Sequence, residues 1–482
     1  VANPLDTLIG FFSPKAGLGR MVARERMRNL RSVEMQYNAA SRGRRTNSWR
    51  PNSAGAISEV SMARDRLRFV GRDLVRNNPI AARVPMLVSQ NVVGKGIIPN
   101  AVTSNAADKE KVEGWLKRHF DTPACDYNGQ LDLYGLQQLI VKLLPSDGEC
   151  FVIKHFMAPD PGQHVLPLRL QVLEADYLDT TKQTLTNKNN RSRIINGIQF
   201  DRRGRREGYW LFDEHPGDVI HGRHRQSRFY PASRVCHVYR IDRPGQINGA
   251  SWFAPVAVKL ADLHEFGDAR LYREKIAGAF VAFIKRNEES TAGITGNSKN
   301  GGHANYPLEE ITPGLIEHLE PGDEVSFGDP PQTAGYKEFW SSEALEISMG
   351  IGISYAALTG DMSMGNFSSN RMGWLEDQRF YESIRSGAIT GQFLHPLTGW
   401  TIQAIHACDR LGEFSLNWTP QARDMIDPSR DVTALEKAIT AGFRSEQETI
   451  RERGRDPEDV HKEKLEDARR KRELERVMKH DK

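Results

Sequence analysis

Four cysteines in 482 residues, Cys125, Cys150, Cys236 and Cys408, are scattered with no CxxC and no paired spacing. That excludes a disulfide frame and a cysteine-ligated zinc site, and it points to reduced thiols in a cytosol-assembled protein. Long apolar runs are also lacking. The longest, Ile276 to Ile284, falls well short of the roughly 20 residues a membrane-spanning helix needs. Leu8 to Phe12 is too short for the apolar core of a secretory signal, and basic residues follow rather than precede it, so no such signal is expected. Charge of one sign is scarce as well: the net value is +4, so local segments matter more than the total.

Catalytic patterns are missing too. There is no GxxxxGK[ST] loop, which argues against ATP hydrolysis by this chain. Gly350-Ile-Gly352 lacks the third glycine and the preceding strand of a dinucleotide site. Ser363 sits in GDMSMG, where Asp361 replaces the glycine a nucleophile elbow requires. His221 and His224 have no carboxylate or thiol at ligand spacing, so they read as a surface loop, not a metal site. Glu288-Glu289, Glu309-Glu310 and Glu376-Asp377 have no apolar context to raise a pKa. No catalytic, cofactor-binding or metal-ligating residue is assigned, and the chain is not expected to be an enzyme.

What is present suits two or three structural units of mixed α+β class, 27% charged and 39% hydrophobic. Residues 1–50 form a basic arm in which Arg20, Arg24, Arg26, Arg28 and Arg31 meet few acids. It would serve nucleic acid, or dock on a neighbouring subunit. From Ile57 the spacing predicts a helix with Val60, Ala63, Leu67, Val70 and Leu74 on one side and Arg64, Arg68 and Arg72 on another. Pro79 opens a second helix, and residues 107–120 and 131–144 give two more. A β-rich section comes next, with strands expected at Glu149–Phe156, Leu168–Leu173, Gly197–Asp201, Glu207–Phe212 and Val235–Ile241. Arg202, Arg203, Arg205 and Arg206 crowd one hairpin there, and Arg223 and Arg225 the next loop, as candidate basic contacts to DNA or as solvated edges.

Trp252–Lys285 reads as one long helix, and residues 286–333 as a Gly-, Asn- and Pro-rich module with short strands at Leu315–Leu319 and Glu324–Phe327. Around Glu338, Phe339, Leu345 and Ile347 an amphipathic helix is expected, ended by Gly350 and Gly352. After it comes the stretch around which the chain is organised, a small-residue loop over 361–370 with Asp361 its only charge. Ser368 or Ser369 would cap a helix running towards Cys408, bent at Pro396. Asp431–Ala441, a capping box at Ser445 and Glu448, and a heavily charged helix from Pro457 to Val477 close the chain.

The strings RDLVRNNPIAARV (72–84), NVVGKGI (91–97), VLEADYLDT (172–180), NGIQFDRRGRREGYWLFDEHPGD (196–218), HVYRIDRPGQINGASWFAPVAVKL (237–260), LEPGDEVSFGDP (319–330) and ISMGIGISYAALTGDMSMGNFSSNR (347–371) fall in a familiar order. The chain closely resembles the portal proteins of tailed bacteriophages, in the lambda-like branch, over roughly residues 55–460. The resemblance implies a ring, usually of twelve subunits, at the unique capsid vertex of a virion assembled in the host cytoplasm. Double-stranded DNA would be packaged and ejected through its bore. Partners would be further copies of the chain, the large terminase subunit, head-completion and connector proteins and the major capsid protein, with no membrane.

Mapped here, the portal fold gives an arm at 1–50, a wing at 51–255, a first stem helix at 256–285 and a clip at 286–333. A second stem helix at 334–350 and a tunnel loop region at 351–371 come after these. A tunnel helix with its return to the wing at 372–412 and a helical crown at 413–482 complete it. The tunnel loop would comprise Asp361, Met362, Ser363, Met364, Gly365, Asn366, Phe367, Ser368, Ser369, Asn370 and Arg371. Arg371 would ring the tunnel with charge or be tied to Glu376 or Asp377. The competing readings are a non-catalytic phage DNA-binding protein acting through the arm, and a phage nuclease or maturation protease.

Overall fold

The computed structural model describes residues 53–159, 162–184, 193–218, 226–278, 282–286, 323–327, 335–363, 365–421, 427–453, 455 and 457–480, with a few residues between 14 and 48. The chain divides after Gly55. Within the first unit, residues 22–27 are helical; the second unit, 56–482, holds both hydrophobic cores. The arm at 1–50, most of the 286–333 module (including the strand expected at Leu315–Leu319), Arg223 and Arg225 lie largely or wholly outside the described residues.

Helices α1 (Ala56–Asn77) and α2 (Pro79–Val92), strand β1 (Ile98–Val102), and helices α3 (Ala106–Phe120) and α4 (Leu133–Asp147) come first. The α1–α2 break is local chemistry. Asn78 is extended, its side chain accepts from the N–H groups of Ile80 and Ala81, and Pro79 at the first turn needs no donor partner. The Asn78 amide also donates to the Leu260 carbonyl at 3.1 Å, which pins this corner to a helix far along the chain.

Strands β2 (Glu149–Phe156), β3 (Leu168–Glu174), β4 (Arg193–Ile195), β5 (Ile198–Phe200), β6 (Arg206–Phe212), β7 (Ser227–Pro231) and β8 (Val235–Tyr239) build two antiparallel sheets. Their orders are β3-β2-β8 and β4-β5-β6-β7. Side chains alternate across β2 with period two. Cys150 and Val152 join the helical core, while Phe151 and Ile153 join a second core with Leu173, Ile198, Tyr209 and Leu211. A strand buried on both faces explains why this segment is apolar without a polar rhythm.

The arginine side of α1 expected from the spacing is present, and it faces inward. Arg64 and Arg68 are only 3% and 4% exposed, and Arg72 is largely covered. A helix whose polar stripe is buried must meet opposite charge, because an unpaired buried ion is very costly. Arg64 donates to Glu149 at 2.5 Å and to the Ala175 carbonyl at 3.0 Å. Arg68 pairs with Asp176 at 3.1 Å. Arg72 reaches Asp147, Glu174 and Asp176 at 2.5, 2.8 and 2.6 Å.

Glu149 is fully buried and also accepts from the Gly249 N–H at 2.8 Å and from His237 Nε2 at 2.7 Å. That backbone contact needs two glycines. A Cβ on Gly249 would lie 2.1 Å from the Gly148 carbonyl oxygen, and Gly148 itself has φ +85°. Burial by itself pushes the Glu149 carboxyl up, but the Arg64 charge and the bonds from His237 and Gly249 outweigh it and hold it well below the carboxylate range. Burial pulls His237 down to about 4 despite its acidic partner. The pair is therefore a neutral imidazole donating to a carboxylate.

Helix α5 (Ala257–Gly278), strands β9 (Ala282–Arg286) and β10 (Asp323–Phe327), helices α6 (Tyr336–Ile351), α7 (Tyr355–Thr359) and α8 (Phe367–Ile384), a π-helical segment (Arg385–Leu394) and helix α9 (His395–Cys408) continue the chain. Strand β11 (Ser415–Thr419) and helices α10 (Pro428–Thr440), α11 (Glu446–Glu452) and α12 (Pro457–His480) end it. The single helix expected over Trp252–Lys285 is shorter than its apolar run suggested. It begins after buried Trp252 and Phe253, and the Phe-Ile segment beyond Gly278 is strand β9, paired antiparallel with β10. Strand β11 returns to pair with β1 across most of the chain, a pairing no local pattern announces.

At Pro396 the helix widens instead of simply bending: the His395 N–H bonds the Thr390 carbonyl, five residues back, next to a proline that has no N–H to give. Here Arg385 donates to the Val92 and Asn91 carbonyls at 2.7 and 2.8 Å, satisfying the open end of α2.

Replacing Glu149 by Gln leaves Arg64 buried without its counter-charge, and denaturant unfolding should show a loss of about 3–5 kcal/mol. Acid should weaken the fold earlier than carboxylate titration alone predicts. Burial holds His119 and His237 neutral down to about 4, whereas their ordinary value is 6.5. Between those values the unfolded chain binds more protons, so stability falls as pH drops, by up to ~1.4 kcal/mol per pH unit for each group. Glu149, whose folded value is depressed, adds a loss of the same sign below its ordinary 4.5. Thermal melts from pH 7.5 to 4 should show this decline, flattened in His237→Gln; a flat profile in the parent protein would contradict it.

Candidate nucleic-acid interface

The stretch 351–371 is held at both ends and open in the middle. Helix α6 ends at Gly352, whose φ is +89°, and α7 ends at Gly360, whose φ is +78°. Between them Ser354 caps α7. Buried Asp377, on α8, accepts from the Ser354 N–H at 2.7 Å and its hydroxyl at 2.6 Å, stapling the start of the turn to the helix that follows it. Burial raises the Asp377 carboxyl, and the Ser354 bonds oppose that rise. Arg83 of α2 donates to the Ala357 carbonyl at 3.0 Å, so the short helix α7 is tied to the helical core as well.

The segment beyond Gly360 is less of a loop than its composition suggests. Asn366, not Ser368 or Ser369, is the cap: its side chain accepts from the Ser369 N–H, and α8 starts at Phe367. Residues 367–370 are therefore the first turn of a helix. Met362, Ser363, Asn366, Ser368 and Ser369 are exposed along this stretch, and Gly365, Asn366 and Asn370 carry the turn into α8. Met364 and the Phe367 side chain lie outside what is described. Asp361 receives the Ser363 N–H at 2.9 Å, and the bonds from Ser363 hold its carboxyl below the usual range. The charge in this stretch is thus negative at neutral pH.

Arg371 approaches neither Glu376 nor Asp377. Its guanidinium lies 3.5 Å from Asp431, on α10, at a partly exposed contact that sequence distance conceals. The partner was not legible because Asp431 is close only through the tertiary fold.

The arginine hairpin separates into different roles. Arg202 and Arg203 are exposed, and Arg205 pairs with Asp201 at 2.9 Å. Arg206 turns inward to the Tyr239 hydroxyl at 2.5 Å and the Ile247 carbonyl at 3.2 Å, which removes it as a basic contact.

Among the described residues, one group has the geometry to hold a cation: Glu174, Asp176 and His215. The Arg72 guanidinium lies against both carboxylates, at 2.8 and 2.6 Å, and already supplies the positive charge there.

Residues 42–385 match the family model for the phage portal protein, lambda family. A probable portal protein of Halomonas phage phiHAP-1 is 26% identical over 463 residues, spanning 91% of this chain and 87% of that protein. Portal protein B of Escherichia phage lambda is 20% identical over 480 residues, spanning 89% and 88%. A chain in the virion of a native gene transfer agent particle is similar in structure with a TM-score of 0.46 and 17% identity, over 87% of this chain and 97% of that one.

Asp377→Ala removes both bonds to Ser354 and should speed hydrogen exchange across residues 354–366, lowering local stability by roughly 1–3 kcal/mol. Exchange unchanged from the parent would show that the staple does not order this segment.

Proposed function

We propose, from the premise that this chain belongs to the lambda family of phage portal proteins, that its copies close into a ring whose bore passes double-stranded DNA. Portal proteins are structural and non-catalytic, and this chain is one of them. The ring would sit at the unique vertex of the phage capsid. There it would dock the terminase during packaging and connector proteins afterwards, with the segment from Asp361 to Arg371 at the narrowest point.

The observation that carries this reading is the chemistry of that segment. Cations set against phosphates release counterions and strengthen binding, so a lysine-studded constriction would act as a brake. Among the described residues here the exposed groups are Met362, Ser363, Asn366, Ser368 and Ser369, the acid Asp361 is ionised, and Arg371 is engaged by Asp431. Contacts around a ring multiply, which makes the shortage of free cations count more. Such a lip touches a duplex without gripping it.

Ring closure asks for two different surfaces that fit head to tail. Helices α5 and α6 leave large apolar side chains in solvent: Val258, Leu271 and Tyr272 on one, Leu345 and Met349 on the other. Exposed apolar groups concentrated on a helix pair mark an interaction surface, and neighbouring copies of the same pair would cover them.

Met362→Lys with Ser368→Lys tests the bore. Both residues lie in the open stretch, and the substitutions leave the Asn366 cap intact. The expected result is normal ring mass in native mass measurement with packaged or retained DNA reduced several-fold. Packaging at the parent level would remove residues 361–371 from the DNA path.

A further inference from the structure

We propose that the C-terminal half of α12 is a DNA-binding collar, taking the phosphate backbone of a duplex. This inference rests on the ring reading above.

Helix α12 is divided by charge. Its first half, 457–468, carries Glu458, Asp459, Glu463, Glu466 and Asp467 against Lys462 and Lys464. Its second half, 469–480, carries Arg469, Arg470, Lys471, Arg472, Arg476 and Lys479 against Glu473 and Glu475. The first half is already engaged within the chain. Glu458 meets Lys109 at 2.9 Å, Glu463 meets Arg455 at 2.5 Å, and Lys464 pairs with Glu446 of α11. The described cations of the second half have no partner so close. Arg469, Arg470, Lys471 and Arg472 are all exposed, and the closest carboxylate to any of them among the described groups is Glu466, 3.9 Å from Arg470. Four consecutive cations on a helix point around most of its circumference, so no single intrachain acid can neutralise them.

Symmetry closes the remaining route. In a cyclic ring every copy of α12 has the same polarity and height, so acidic halves stand beside acidic halves and basic halves beside basic halves. With α12 running along the ring axis, neighbouring α12 helices would not neutralise one another's basic ends and would concentrate them into one positive belt. A polyanion relieves that repulsion, and a duplex with a phosphate charge every ~1.7 Å along its axis supplies the density to do so. The division of labour would then be spatial: a contact-poor lip at 361–371 lets DNA slide, and a cationic belt elsewhere holds it.

The test is binding of a fluorescent duplex of about 30 base pairs to the full-length protein from roughly 50 to 200 mM salt, with ring mass measured on the same samples. The variant carries Arg469→Gln, Arg470→Gln, Lys471→Gln and Arg472→Gln. It should form rings and lose at least about tenfold in affinity, with the slope of log K against log salt flattening by about two units or more. Rings with unchanged affinity and slope would overturn the proposal. Parent protein that stays monomeric would sink the ring reading, and the collar with it, a result separable from assembled rings that bind normally. In otherwise parental rings, a photocrosslinker replacing Lys471 should capture duplex DNA. Capture of an acidic protein segment in its place would also overturn the assignment.

Discussion

Everything in the part of this chain from α1 to β8 turns on where the charge of α1 goes. Arg64, Arg68 and Arg72 cannot stay buried unless Glu149, Asp147, Asp176 and Glu174 face them. Those acids sit at the end of α4, the start of β2 and the turn after β3, so satisfying the arginines fixes the helix on the sheet in one register. A purely apolar face would allow α1 to slide or rotate at small cost, whereas an ion network with fixed geometry does not. The tight Gly148–Gly249 approach belongs to the same constraint, because it delivers a backbone N–H to the carboxylate that anchors Arg64.

The same logic of tying loose ends extends to the candidate interface. Arg385 closes the carbonyl end of α2, Arg83 holds α7, and Asp377 gathers Ser354. Arg83 and Asp377 both run from helices of the packed body to the turn between α6 and α8. The segment beyond Gly360 is thus presented by rigid neighbours while its described side chains Met362, Ser363, Asn366, Ser368 and Ser369 stay uncharged and open to solvent. A surface made to be slid past must be firm in position and weak in attraction, and these are separate properties set by different residues.

Charge is divided just as sharply at the far end of the chain. The acidic half of α12 commits Glu458 to Lys109, Glu463 to Arg455 and its lysine Lys464 to Glu446 of α11, while Arg469, Arg470, Lys471 and Arg472 in the basic half are exposed to water. Acids at the start and bases at the end also suit the helix macrodipole, which favours that polarity in an otherwise weakly apolar helix. Local helix stability and an outward-facing cationic surface are therefore compatible uses of one sequence.

The strands around Glu149, Leu168 and Val235, the corner at Asn78-Pro79 and the Ser445 cap were readable locally, because alternation, proline and capping residues act over a few positions. The motif order alone pointed to the family. Tertiary structure decided what depends on residues far apart in sequence: the burial of the α1 arginines, the Arg371–Asp431 contact, the β1–β11 pairing and the strand fate of the run after Gly278. A helical wheel shows that arginines share a face but not whether carboxylates from another element will meet them, and an apolar run does not say whether its partner is a helix or a strand. Those choices are made by three-dimensional proximity, which sequence spacing does not encode.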